Sequence, residues 1–100
     1  MPKAEFWIAR PTHYWMLDSK FDGSFNFGKI YEDAGLDGLL LFDTQNLAPE
    51  VYTSLTAIAL QTNRIKLGTG VTNPKTRHAA VTASTIATLD QLSGGRAYLG

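Results

Sequence analysis

The hexapeptide Gly38-Leu39-Leu40-Leu41-Phe42-Asp43 (GLLLFD) is apolar without a break until its final carboxylate. A strand with one face in water alternates apolar and polar residues. An unbroken run instead predicts a strand covered on both faces, as in a parallel sheet flanked by helices. The sequence on either side repeats the theme. Upstream, Glu5 to Arg10 (EFWIAR) is short, apolar and aromatic and stops at Pro11. Downstream, Ile65 to Val71 (IKLGTGV) ends in glycines, and Arg96 to Gly100 (RAYLG) opens a fourth run. These segments predict strands over 5–10, 38–43, 65–71 and 96–100.

Helical patterns separate them. Ser24 is placed to cap a helix over 24–34, whose Phe27, Ile30, Tyr31 and Ala34 recur at helical spacing until Gly35. Pro49 fits the first turn of a second helix over 49–62, with Val51, Leu55, Ile58 and Thr62 on one face. Thr76 is the expected N-cap of a third helix over 77–92, with Val81, Thr85, Leu89 and Leu92 on one face and Gly94-Gly95 as its stop. The strands begin near residues 5, 38, 65 and 96, at intervals of about 30 residues, which is the length of a βαβ unit. The pattern is βαβαβαβ with a parallel sheet. The chain has 100 residues. A complete eight-stranded α/β barrel needs about 250, so such units would make an incomplete barrel as a single chain, read as one partial domain over 1–100.

Composition narrows the function classes. Nine Lys and Arg balance nine Asp and Glu, and the basic residues are scattered, which argues against nucleic acid as a partner. Cysteine is absent, removing disulfides, thiolate metal sites and cysteine nucleophiles. No apolar run is long enough to span a bilayer, no signal-peptide pattern opens the chain, and the expected location is the cytoplasm, with no membrane partner.

In a parallel sheet of this kind, ligands meet the C-terminal ends of the strands. Asp43 stands at one such end, either as an acceptor for a ligand or as a loop Asp bonding local amides. Gly68-Thr69-Gly70 allows either close backbone approach to a flat ligand or a strand bulge. It is not a dinucleotide fingerprint, because Asn73 stands where the third glycine is required. The aromatic loop 12–23 follows the first strand, and His13 and Trp15 on it are candidates for substrate contact. His78 reads as a packed or exposed residue in the first turn of its helix, with catalysis the alternative. The two histidines match no short metal-ligand spacing, and no metal is expected.

The stretches YEDAGLDGLLLFDTQN (31–46) and TNRIKLGTGVTNPKTRHAAVTASTIATLDQLSGGRAYLG (62–100) resemble the N-terminal part of the bacterial luciferase-like oxidoreductases. The run Arg64 to Asn73, the triplet Thr76-Arg77-His78 and the ending Leu92-Ser93-Gly94-Gly95-Arg96 carry the match. The resemblance implies a TIM-type (β/α)8 barrel and, in the full-length family member, a cofactor that is FMN or, for the methylene-tetrahydromethanopterin reductase-like branch that LGTGVTNP and DTQN most resemble, the deazaflavin coenzyme F420, with none bound by this chain as the alternative. It further implies that Asp43 contacts the cofactor ring, that a non-proline cis peptide joins Gly70 to Val71 behind the ring, and that Asn73 hydrogen-bonds the cofactor. Several relatives carry His directly after the Asp, whereas this chain has Thr44, which does not transfer protons near neutral pH as imidazole does.

Two further readings stand beside this one. The oxidoreductase fragment, built for hydride transfer or monooxygenation on a small organic substrate, is itself expected to be inactive as the isolated 100-residue chain; in the first alternative the chain is a structural module without catalytic activity that assembles into homo-oligomers through exposed sheet edges. In the second it is a small doubly wound binding domain, distinguishable by a strand order that reverses rather than running sequentially.

Overall fold

The structure, a computed structural model, describes residues 4–11, 24–44 and 47–100. Four strands and three helices alternate: β1 (Trp7–Arg10), α1 (Phe27–Asp33), β2 (Gly38–Leu41), α2 (Val51–Gln61), β3 (Lys66–Thr69), α3 (Ala79–Leu92) and β4 (Ala97–Tyr98). All pairings are parallel and the sheet order is β1-β2-β3-β4. Sequential neighbours are the order of a barrel segment. A doubly wound sheet would reverse, so the small binding-domain reading is corrected here. Among the described residues no helix is long and apolar enough to cross a membrane.

The apolar run that predicted β2 behaves as expected. Leu39 and Leu41 are fully buried and join Leu67, Leu55, Ile58 and Ile65 in one core beneath the helices. Burying each such side chain is worth about 2 kcal/mol before the entropy of ordering it. Alternation puts the other strand residues on the opposite face. There the Trp7 ring lies over Gly38, where a Cβ would collide with it, and meets the Tyr98 ring edge-on at 5.2 Å.

The elements are shorter than their sequence patterns. α1 begins at Phe27 with Asn26 as N-cap and no side-chain cap bond, so Ser24 does not cap it. Its entry is instead a backbone turn, Gly28 N to Phe25 O at 3.4 Å. Pro49 precedes α2 rather than occupying its first turn, because the Glu50 carboxylate takes the cap and accepts from Thr53 N at 2.7 Å. His78, not Thr76, caps α3, its Nδ1 accepting from Ala80 N at 3.0 Å, while Thr76 Oγ1 donates to Asn73 O. β2 and β3 stop at Leu41 and Thr69, where Gly70 N to Leu41 O is a late rung between them. Gly35, at φ 92°, and Gly94 and Gly95, at 72° and 88°, supply the left-handed stops expected of them.

The inward faces are also rotated. On α1, Ile30 is 62% exposed, and the buried positions are Gly28 and Glu32. Gly28 is there because a Cβ would strike the Ile58 side chain, so α1 and α2 touch closely. On α3, Val81 and Leu92 are exposed, and the inward stripe runs through Thr82, Ile86, Leu89 and Ser93.

Two buried charges fasten the turn between α2 and β3. The Oε2 of Glu32 accepts from the backbone N–H groups of Asn63 (2.9 Å), Arg64 (2.6 Å) and Ile65 (2.9 Å). From the other side, Arg96 donates to the carbonyls of Ala59, Thr62, Ile65 and Ser93 and to the Thr62 hydroxyl. Burial alone would raise the Glu32 pKa, but the three N–H groups and Lys29 outweigh it and bring it from 4.5 to about 2. Burial lowers the pKa of Arg96, and Glu32 opposes that shift.

A carboxyl whose pKa is depressed by folding stabilises the fold above its unfolded value and loses that contribution as pH falls toward its folded value. Stability should therefore drop between about pH 4.5 and pH 2, Glu32 accounting for on the order of 3 kcal/mol at 1.36 kcal/mol per pH unit. Urea unfolding of wild type and Glu32→Gln across this window checks it. The variant should be weaker at pH 7 and flatter in acid, and an equally steep acid profile would disprove the assignment.

Candidate functional site

Beyond the C-terminal ends of β1, β2 and β3 lie Pro11, the segment Phe42–Thr44 and the segment Gly70–Asn73, with Gly100 beside the last. The sheet's hydrogen bonding continues into these loops and so determines where they sit. Phe42 N bonds Arg10 O at 3.0 Å, Gly70 N bonds Leu41 O at 2.9 Å, and Thr72 N bonds Gly100 O at 2.9 Å. Gly100 N in turn donates to Thr69 Oγ1 at 3.1 Å.

The peptide bond from Gly70 to Val71 is cis. Gly70 lies against Leu40, so close that a Cβ on it would stand only 2.8 Å from that side chain, and Val71 is 71% exposed. An aliphatic residue turned outward at the end of a buried strand, rimmed by polar backbone, is the surface a flat ring would cover.

Asp43 sits directly behind this segment. Its side chain is 1% exposed, and Oδ2 accepts from Thr72 Oγ1 (2.9 Å), Asn73 N (3.2 Å) and Arg77 (2.7 Å). A second nitrogen of Arg77 reaches Oδ1 at 3.3 Å and also pairs with Glu50. Tyr52 lies beneath, with its ring 4.6 Å from the guanidinium carbon and its hydroxyl 3.1 Å from Thr72 Oγ1. Since Thr72 gives its proton to Asp43, the Tyr52 hydroxyl donates to Thr72. The Arg77 pKa is raised, first by its hydrogen bond to Asp43, against the effect of burial. Burial would raise that of Glu50, but Thr53 and Arg77 hold it below its ordinary value.

The structure thus brings together Asp43, Gly70, Val71 and Asn73, four residues singled out from the sequence. Asn73 is exposed, and its Oδ1 accepts from Lys75 N at 3.0 Å, which leaves the amide nitrogen as the donor end of the group. His13 and Trp15 lie outside the described residues. Arg77, Glu50 and Tyr52 were not expected here. Arg77 stood within the triplet 76–78, but its partners are 27 and 34 residues away and no local pattern signals them. Glu50, Tyr52 and Arg77 also line an open groove that continues between α2 and α3 past Ala57, Leu60 and Val81. Among the described residues no group of three or more His, Cys, Asp or Glu could hold a metal ion.

Comparison with known proteins agrees with the fold. The chain is 52% identical over 75 residues to 5,10-methylenetetrahydromethanopterin reductase of Methanolobus tindarius, covering 75% of this chain and 23% of that protein. The fold superimposes on the coenzyme F420 dependent tetrahydromethanopterin reductase of Methanopyrus kandleri with a TM-score of 0.80 and 38% identity, over 99% of this chain and 27% of that one. It also matches the oxygenating constituent of 3,6-diketocamphane monooxygenase from Pseudomonas putida, in complex with FMN, with a TM-score of 0.79 over 97% of this chain and 29% of that one. The 23% identity there speaks to the fold alone. The chain spans about a quarter of the length of these relatives, and its sheet is a segment of their TIM barrel. The model of the family described as luciferase-like monooxygenase matches residues 11–100, and the chain belongs to that family.

Proposed function

We propose that this chain forms one wall of the cofactor site of an F420-dependent oxidoreductase, in which a hydride passes between the deazaflavin and a small organic substrate. The observation that carries the reading is the 52% identity to a methylenetetrahydromethanopterin reductase through the segment that holds the strand ends. FMN is the alternative cofactor, with monooxygenation as its chemistry.

The residues fit a flat, partly apolar ring. Val71 offers exposed aliphatic surface, Gly70 keeps the backbone close, and Asn73 carries an outward amide donor. Asp43 lies behind them and keeps its charge through Arg77. When bound, the cofactor supplies the hydride chemistry, while the protein orients one ring face and excludes water. Thr44 follows Asp43 and is no proton donor or acceptor near neutral pH, so protons come from elsewhere in the site. His13 and Trp15 are the residues assigned to the substrate.

The chain alone should bind F420 more tightly than FMN and turn over nothing. Fluorescence titration with each cofactor checks the first expectation, and tighter binding of FMN would move the assignment to flavin. Absorbance at the deazaflavin band, in a mixture of chain, reduced F420 and methylene-tetrahydromethanopterin, checks the second. Oxidation above a protein-free blank would refute inactivity.

A specific observation also favours self-assembly. The sheet ends in β1 and β4 without further strands among the described residues, and Phe6, Tyr98 and Leu99 beside those edges are 66%, 44% and 52% exposed. Unpaired edges flanked by apolar side chains are templates for pairing with another chain. Native mass spectrometry should show dimers or larger species, and a stable folded monomer would count against this reading.

A further inference from the structure

In the triplet Thr76-Arg77-His78 only Arg77 enters the function proposed above, through its pairing with Asp43, yet each residue ties down the connection from β3 to α3. Thr76 Oγ1 donates to Asn73 O at 2.9 Å and His78 caps α3. Arg77 differs from both because its bonds leave the connection. Its guanidinium joins Asp43, at the end of β2, to Glu50, the cap of α2, over the face of Tyr52. The Arg77 and Asp43 side chains are only 15% and 1% exposed, so the pair is little screened by solvent. A carboxylate buried this far needs a partner to stay charged, and a charged Asp43 can accept from Thr72 Oγ1 and Asn73 N together.

We propose that Arg77 is a positioning residue for the cofactor segment. It holds Asp43 as an ionised anchor, and Asp43 sets the backbone of Thr72 and Asn73, so that both charges reach the cofactor through this segment. The planar fork matters as well as the charge, since it meets two carboxylates while stacking on an aromatic ring, which an ammonium cannot reproduce. The part of the inference that concerns the cofactor rests on the F420 reading, while the part that concerns the shape of the segment does not.

Amide spectra of the 15N-labelled full chain test the second part without cofactor. Arg77→Met should displace or broaden the resonances of Thr72 and Asn73 and leave those of Leu39 and Leu67 in place. Arg77→Lys should lie between Met and wild type, and Glu50→Gln, which removes only the outer arm, should perturb least. Titration with F420 should then show Arg77→Met binding roughly tenfold more weakly or worse, with partial rescue in Arg77→Lys, a change that a merely structural role would not produce in folded protein. If Arg77→Met does not fold, Arg77→Lys carries both readouts. Wild-type positions for Thr72 and Asn73 in the folded variant would overturn the proposal. A wild-type chain that fails to bind F420 would instead defeat the cofactor reading, and the amide spectra would still decide the role of Arg77.

Discussion

The turn from α2 into β3 is the constraint on which the rest of this sheet depends. Its backbone meets side chains from α1 and from the entry of β4, and Thr62 and Ile65 within it are buried. Glu32 gathers three of its N–H groups on a single oxygen, and Arg96 gathers the carbonyls of Ala59, Thr62 and Ile65. Each charge satisfies several backbone groups whose burial unpaired would cost about 1–3 kcal/mol apiece. Each also belongs to a neighbouring unit, Glu32 to α1 and Arg96 to the entry of β4. The turn therefore joins three consecutive βα units, and the start of β3 is fixed in register against both neighbours.

A second charged cluster works at the opposite end of the strands. Fixing Lys66 against Gly38 determines that Thr69 reaches Leu41, and hence that Gly70 emerges beside Asp43. The Asp43–Arg77–Glu50 cluster then holds what emerges. The two clusters differ in what they enclose. Glu32 and Arg96 each gather several backbone groups of one turn, which is a stabilising arrangement. Asp43 and Arg77 lie behind a segment at the strand ends whose Val71 and Asn73 are exposed.

Much of this was legible in the sequence because it is local. The unbroken run Gly38 to Phe42, the terminating glycines at 35, 94 and 95 and the regular alternation of periods each reflect physics within one element. The features that were not legible are long-range. Glu32 reads as a solvent-facing acid on a helix, Arg96 as the basic end of a glycine turn, and Arg77 as a loop cation. Their meaning comes from partners about 30 residues away that only the βαβ crossover brings close. The helix faces were misjudged for a related reason. An apolar template selects Ile30 and Val81, but the close approach of α1 to α2 at Gly28 and the bonds of Glu32 to the turn put Gly28 and Glu32 inward on α1, while on α3 the buried residue is Leu89 and Val81 is exposed. Caps were displaced because Glu50 and His78 did work that Pro49 and Thr76 were expected to do or adjoin.

The division between what is self-contained and what is open bears on how such a segment could function. The contacts that shape the Gly70–Asn73 wall, from Asp43, Arg77 and Tyr52 to Gly100, come from within these 100 residues. The sheet is more open: among the described residues the face bearing Trp7, Leu40 and Tyr98 has no helix against it, and β1 and β4 are its edge strands. Whatever pairs with the β1 and β4 edges therefore meets strand-end segments already held by the contacts of Asp43, Arg77 and Tyr52.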